Sequence, residues 1–467
     1  MTELTISLDA HSSRPMYEQI YEYMKKEIQA GSLSFREKLP STRKLSEYLQ
    51  VSRSTVELAY EQLLSEGYIE SIPCRGYYVS ELDGLYRIEQ EDQEVVADDL
   101  PTPRYAFDFS PNGVDLDSFP HNVWRKLSRK ILLDDKKELF MLGAPMGEEV
   151  LRKAIARYLH QARGVNCNPA QIVIGAGTDY LLMLLQAMWG KRKKIAMENP
   201  TYKRAYRVLL GLSNEMKIVD MDKDGMDVEA LEESEAEIAY VMPSHQFPLG
   251  TVMPIKRRMQ LLKWAGEKEG RYIIEDDYDS EFRYKGKPIP ALQGYDRSEK
   301  VIYLGTFSKS IAPAIRISYL VLPKPLYQCY LEKGKIFSST VSRVDQMIVA
   351  AFLQEGHYER HLNRMRAIYK GRHDVLLEEL KKIPDIRILG ERAGVHLLVE
   401  LHNGLTEEET IARAGKQGIR IYGLTDYYVE PPKSCPMPTV ILGFANMKEE
   451  EIIQATKLLW KVFSPGK

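Results

Sequence analysis

Cysteine is scarce in this chain: there are four in 467 residues, Cys74, Cys167, Cys329 and Cys435, and none forms a CxxC pair. Zinc ribbons and disulfide frameworks, which draw on closely spaced cysteines, are therefore excluded, and the four read as reduced thiols of a cytosolic protein. An excess of one charge is also missing. With a formal net charge of −2, the chain has neither a globally basic nucleic-acid coat nor a polybasic membrane anchor, so any contact with DNA must be local. No apolar run approaches the roughly 18 residues of a membrane span, and even LLMLLQAMW (Leu181–Trp189) stops short and contains Gln186. The opening MTELTISLDAHSSRP lacks the basic and apolar regions of a secretory signal. The expectation is a cytoplasmic chain with no membrane partner. Internal repeats and low-complexity tracts of useful length are absent too.

What is present is ordinary composition, 44% hydrophobic and 28% charged, on a length that allows two to four domains at roughly 100–200 residues each. From Pro15 the pattern changes character quickly. MYEQIYEYMKKEIQAG sets Met16, Ile20, Tyr23, Met24 and Ile28 at helical spacing and stops at Gly31. Ser41 then offers an N-cap to a second helix with Leu45, Tyr48 and Leu49 inward. After the turn QVS, Ser52 opens a third, with Val56, Ala59, Tyr60, Leu63 and Leu64 inward. Two short helices across a tight turn predict a helix-turn-helix, and GYIESIPCRGYYV predicts a small hairpin around Cys74-Arg75-Gly76.

A plain three-helix bundle would fit the same periodicity. Against it, Arg36, Lys38, Arg43, Lys44 and Arg53 crowd one side of the turn, opposed only by Glu37 and Glu47. The start of the third helix, Ser52-Arg53-Ser54-Thr55, brings hydroxyls for phosphates and one arginine for a base edge or the backbone. LPSTRKLSEYLQVSRSTVELAYEQLLSEGYI followed by RGYYV resembles the winged helix of GntR-family transcriptional regulators along its whole length. The resemblance implies that Arg43, Ser52, Arg53, Ser54 and Thr55 meet operator DNA in the major groove and that Arg75 and Gly76 of the wing approach the minor groove. Glu57 departs from that pattern, since members of the family can carry a basic residue there.

Residues 81–105 follow as a linker: ELDGLYRIEQEDQEVVADDLPTPR holds eight acidic and two basic side chains, a composition that buries little, although a helix there is not excluded. The expected division is 1–80 for the winged helix, 81–105 for the linker and 106–467 for a large effector and dimerisation domain.

In the large domain strand-like runs alternate with helical ones: QIVIGAG, DYLLMLLQAMWG, KIAMENP, EIAYVMP, RYIIEDDYDSEF, KVIYLGTFSKS. This order predicts an α/β fold with a mostly parallel sheet, right-handed crossovers and a ligand crevice beyond the carboxyl ends of the strands. The polar clusters fall at those ends. Gly175-Ala176-Gly177-Thr178 lets backbone N–H groups approach a phosphate where a helix begins, though such a turn is often only a tight connection. Asp276, Asp277 and Tyr278 end one strand, and no histidine or further carboxylate stands at ligand spacing, so no metal site is expected. Lys309 follows another strand, flanked by Thr306, Ser308 and Ser310, with Arg316 beyond. A lysine, a carboxylate, a phenol and a phosphate cradle together match the needs of pyridoxal 5'-phosphate.

GTFSKSIAPAIR, IIEDDYDSEF, ENPTYKRAYR and MPSHQFPLG are similar to the fold-type I aminotransferase domain, with its large and small subdomains, and with the winged helix the whole resembles the MocR/GabR group of chimeric regulators. The likeness implies that Lys309 is the aldimine lysine, Asp276 the partner of the pyridine nitrogen and Tyr278 the phenol at the ring hydroxyl. It implies that Tyr202 stacks on the ring and that Gly177, Thr178, Thr306, Ser308 and Arg316 hold the phosphate. Arg204 matches an arginine that grips the effector carboxylate in a GABA-sensing member, although a solvated helical arginine is an equal reading. A second such arginine has no counterpart near GLTDYYVEPP, where Asp426 and Tyr427 stand. Two positions depart from working aminotransferases: Phe247 replaces the asparagine of their Asn-Pro-x-Gly segment, and Ile441 stands where a carboxylate-binding arginine is usual. The expected function is a transcriptional regulator, homodimeric by family likeness, that senses a small amine or amino-acid effector by aldimine exchange at Lys309. The alternatives are a genuine aminotransferase with an accessory DNA-binding domain and a repressor whose large domain is only a scaffold.

Overall fold

The structure, a computed structural model, describes residues 6–9, 12, 14–81, 105–133, 137–284, 286, 289–432 and 437–464. The expected linker lies almost wholly outside the described residues, as does Cys435. The chain divides into two compact units, Met1–Thr102 and Pro103–Lys467.

In the first unit, helices Met16–Gln29, Thr42–Leu49 and Arg53–Ser65 precede an antiparallel hairpin, Ile69–Ile72 with Gly76–Val79. Serine caps set the last two helix starts: Ser41 accepts from the Lys44 N–H and Ser52 from the Thr55 N–H, each at 3.2 Å. The turn between them is made by Gln50 in the left-handed conformation, φ 55°. Ile20, Met24, Leu45, Val56, Ala59, Tyr60 and Leu63 form the core. One inward assignment is corrected. Tyr48 is 64% exposed, because the short helix buries the face Thr42, Leu45, Ser46 and position 48 lies well off that face. In the first helix Tyr21 is buried and Tyr23 only packs against the edge of the core.

The second unit carries an eight-stranded sheet ordered Ile172–Gly175, Ser318–Val321, Val301–Thr306, Tyr272–Asp277, Ile238–Val241, Lys194–Asn199, Glu215–Asp222, Gly225–Met226. The five strands from Val301–Thr306 to Glu215–Asp222 run parallel. Every strand expected from the sequence forms. Ser318–Val321 was not expected and runs antiparallel to both neighbours, so its first residue, Ser318, lies at the edge where its partners end, opposite Thr306 and Gly175. A smaller antiparallel sheet, Ile386–Leu389, His396–Leu401, Thr439–Gly443 and Tyr422–Gly423, packs its own core, including Val399, Leu442 and Phe444, against helices His357–Leu380 and Glu449–Phe463.

Candidate cofactor pocket and nucleic-acid interface

At the carboxyl edge of the large sheet lies an open pocket of about 650 Å³, solvent at its mouth included. Gly177, Thr178, Tyr202, Arg204, Asp276, Tyr278, Thr306, Ser308, Lys309 and Arg316 all line it. Residues from 177 to 316 thus converge because each lies at or near a strand terminus on this one edge of the sheet.

Lys309 reaches into this pocket from the turn after Val301–Thr306, and its Nζ donates to the Pro111 carbonyl at 3.2 Å. Loss of hydration lowers its pKa to about 8, with the Asp279 charge opposing. On the adjacent strand the side chains alternate. Glu275 and Asp277 turn to one face, where Glu275 accepts from the Leu292 and Gln293 N–H groups and Asp277 accepts from Arg163 Nε at 2.8 Å. Asp276 turns to the other, into the pocket. Burial pushes the Asp276 carboxyl up to about 7; the Tyr240 hydroxyl, which donates to it, works the other way. Tyr278 lies 3.0 Å from His245 Nδ1, and the same nitrogen is 2.9 Å from Asp279 Oδ2.

The opposite wall begins with Gly177, the N-cap of helix Thr178–Trp189, whose φ of 91° and lack of a side-chain cap leave the first amides of the helix open. A Cβ there would lie 2.2 Å from Arg316 Nη2, so only glycine lets the guanidinium close on the backbone, where it donates to the Ala176 carbonyl at 3.3 Å. The Thr306 hydroxyl accepts from the Ser308 N–H at 3.1 Å and from Ser318 Oγ at 2.8 Å. Open amides, an arginine and hydroxyls form a donor set suited to a phosphate, and a desolvated amine across from a buried carboxyl suits an aldehyde on a basic ring. The residues present fit pyridoxal phosphate.

Several pocket residues escaped the sequence reading. Asp179 pairs with Arg204, whose Nε donates to Oδ1 at 3.2 Å, and lies 3.8 Å from Arg316. Asn112, Met242 and Ser318 also line the wall. Tyr240 had a usable signal: it stands on the strand next to Asp276, in register with Ile274, and alternation points both side chains to one face. Phe247 is only 4% exposed, meets Tyr202, Tyr278 and Tyr427 edge-on at 6.0, 5.9 and 5.1 Å, and so fills with an aromatic ring the place of the asparagine. Ile441 is buried with Leu398 and Leu424.

In the first unit the hydroxyls of Ser52, Ser54 and Thr55 cluster at the start of Arg53–Ser65, with Ser52 Oγ 2.9 Å from Ser54 Oγ and 2.7 Å from Thr55 Oγ1. Arg53 and Arg43 are exposed and each pairs one helical turn along, with Glu57 at 2.8 Å and Glu47 at 3.0 Å. Arg75 is exposed in the hairpin turn, ahead of Gly76 at φ 106°.

Residues 16–79 match the family of bacterial regulatory proteins, gntR family, and residues 107–457 match aminotransferase class I and II. The chain is 39% identical to the HTH-type transcriptional regulator YdeL of Bacillus subtilis, over 98% of this chain and 100% of that one. It is 32% identical to a probable rhizopine catabolism regulatory protein, MocR, of Rhizobium meliloti, over 98% and 95%. Among solved structures, a kynurenine aminotransferase of Pyrococcus horikoshii in complex with PMP superposes with a TM-score of 0.68 at 25% identity, covering 78% of this chain and 91% of that one. The chain belongs to the MocR-type transcriptional regulators, in which a GntR-family helix-turn-helix domain is fused to an aminotransferase class I and II domain.

Proposed function

We propose that this regulator binds pyridoxal 5'-phosphate in the pocket and uses it to sense a small amine, transmitting the outcome to operator DNA. The observation that carries the reading is the convergence of Lys309, Asp276, Tyr278 and the Gly177–Arg316 cradle on one pocket. Bound there, the cofactor supplies an aldehyde carbon that condenses with a primary amine and can pass from one amine to another. Gly177, Thr178, Thr306, Ser308 and Arg316 would hold its phosphate, Tyr202 its ring face, Asp276 its ring nitrogen and Tyr278 its ring hydroxyl. Lys309, with a pKa near 8, has an appreciable share of its amine unprotonated near neutrality, as a nucleophile needs.

Sensing is favoured over turnover by Ile441: a buried isoleucine offers no bidentate partner to orient a substrate carboxylate. An effector that displaces Lys309 would change the contacts around the pocket covalently, enough to bias a two-state equilibrium. On the DNA side, Ser52, Ser54 and Thr55 would meet phosphates, and Arg43 and Arg53 would exchange their glutamates for the duplex, with Arg75 and Gly76 at the minor groove. A homodimer is supported by the run Phe140, Met141 and Leu142, which are 79, 64 and 89% exposed, an apolar stretch that a second copy would cover.

The test is spectroscopic. Purified protein supplied with pyridoxal phosphate should turn yellow, and borohydride should fix the cofactor on Lys309. Lys309→Ala should lose both colour and effector response while keeping operator binding. A colourless wild type with no trapped adduct would falsify the cofactor reading, and steady transamination of a keto acid at ordinary enzymatic rates would restore the enzymatic alternative.

A further inference from the structure

The charges of the pocket select among amines. Among the described residues lining it, the cations are Arg204, Lys309 and Arg316 and the anions are Asp179 and Asp276. The cofactor reading above assigns Lys309, Arg316 and Asp276, which leaves Arg204 as the lining cation to meet a carboxylate on the effector. Arg204 is already occupied. Its Nε donates to Asp179 Oδ1 at 3.2 Å and its Nη2 donates to Oδ2, the two-point pairing a carboxylate ligand would otherwise make.

Asp179 is well held for this purpose. It stands in the first turn of helix Thr178–Trp189, where the open amides favour a negative charge, and Arg316 approaches it at 3.8 Å. An effector carboxylate reaching Arg204 must either displace Asp179 from the Nε and Nη2 edge or take the remaining N–H groups, and either way it lies beside Asp179, like charge against like. The remaining wall carries no charge: Tyr202, Met242 and Phe247 line it together with the neutral Asn112 and Ser318, Tyr427 backs Phe247 at 5.1 Å, and Tyr427 in turn packs against the buried cluster of Leu398, Leu424 and Ile441.

We infer that the effector is a primary amine with an apolar tail and no carboxylate. The inference rests on amine sensing at Lys309 and specifies the chemistry of what is sensed. Asp179 acts as a built-in carboxylate that keeps Arg204 from recruiting one from solution.

The experiment uses the full-length, cofactor-loaded protein and amines matched in chain length: n-butylamine against 4-aminobutanoate, and n-hexylamine against 6-aminohexanoate. Each is titrated while the visible band is followed, with calorimetry as an independent measure of binding. The carboxylate-free member of each pair should half-saturate at a concentration roughly tenfold lower or better, the scale of one unfavourable charge contact. In Asp179→Asn, which keeps the side-chain shape and frees Arg204, the amino acid should gain and the gap should narrow; Asp179→Ala should act in the same direction. Equal or tighter binding of the amino acids by wild type overturns the inference while leaving amine sensing in place. So does an unchanged gap in both Asp179 variants when they still take up colour. A coloured wild type whose band no amine moves overturns amine sensing, and this inference with it.

Discussion

The two units of this protein use the same residue types in opposite ways. In the DNA-binding unit the two arginines at the helix-turn-helix are exposed with their partners: Arg53 and Glu57 are 65 and 41% exposed, and Arg43 and Glu47 79 and 66%. Pairs of this kind are screened by water, contribute little to stability, and are easily exchanged for a phosphate backbone. In the aminotransferase-like unit the comparable pair, Arg163 with Asp277, is 4 and 2% exposed. There the guanidinium also donates to Ser244 Oγ at 2.6 Å and to the Ile289 carbonyl, so neither partner can leave without stranding the other in a dry interior. The exposed pairs stay available to a ligand, whereas burial of the Arg163–Asp277 pair holds charge in place, where Asp277 helps to raise the Asp276 pKa.

The contrast can be broken at its strong end first. Asp277→Ala, which leaves Arg163 buried without its acid, should cost about 3–5 kcal/mol in urea unfolding of the apo protein; a loss no greater than that of a surface substitution would remove the distinction. Arg53→Ala should come next, weakening binding to a DNA fragment chosen by in vitro selection by roughly 1–3 kcal/mol without altering cofactor absorbance. An unchanged affinity would take Arg53 out of the interface.

A third experiment sharpens the role of burial. Glu198 is fully buried, which pushes its carboxyl up to about 7, with the nearby Gln246 side chain and the Met226 and Met242 amides working the other way. Its folded pKa lies above the unfolded value of 4.5, so between these two values the folded state holds a proton that the unfolded state has released. Stability therefore falls with rising pH across that window. Glu198→Gln should gain on wild type from about pH 4.5 to about pH 7 and keep that gain above, as read from unfolding midpoints at a series of pH values. A difference that does not vary with pH would show that the carboxyl ionises normally. The smallest effect belongs to the exposed pairs: Glu47→Ala should stay within about 0.5 kcal/mol of wild type in stability.

Much of the pocket was legible because its residues lie where strands end, and strand ends are marked in the sequence by a change from apolar runs to Gly, Asp, Ser and Thr. Gly177, Asp276, Lys309 and Arg316 were readable in this way. Tyr48 was misjudged because an eight-residue helix, Thr42–Leu49, has too few turns for periodicity to choose its face. Ser318–Val321 was missed because a four-residue strand buried throughout carries no alternation to mark it, and without that strand Ser318 had no reason to appear beside Thr306. Asp179 was missed because its partner Arg204 lies 25 residues away on another helix.

The sequence by itself determined the helices and their serine caps, the parallel strands, and the kinds of side chain available at the ends of those strands. These depend on interactions within a few residues and on which face of an element is apolar. The tertiary structure alone decided that Asp276 and not Asp277 turns into the pocket, that Arg204 is closed by Asp179, that Phe247 packs edge-on among Tyr202, Tyr278 and Tyr427, and that burial lowers the pKa of Lys309. Those outcomes depend on which surfaces lose water and which distant charges meet, and chain folding settles both.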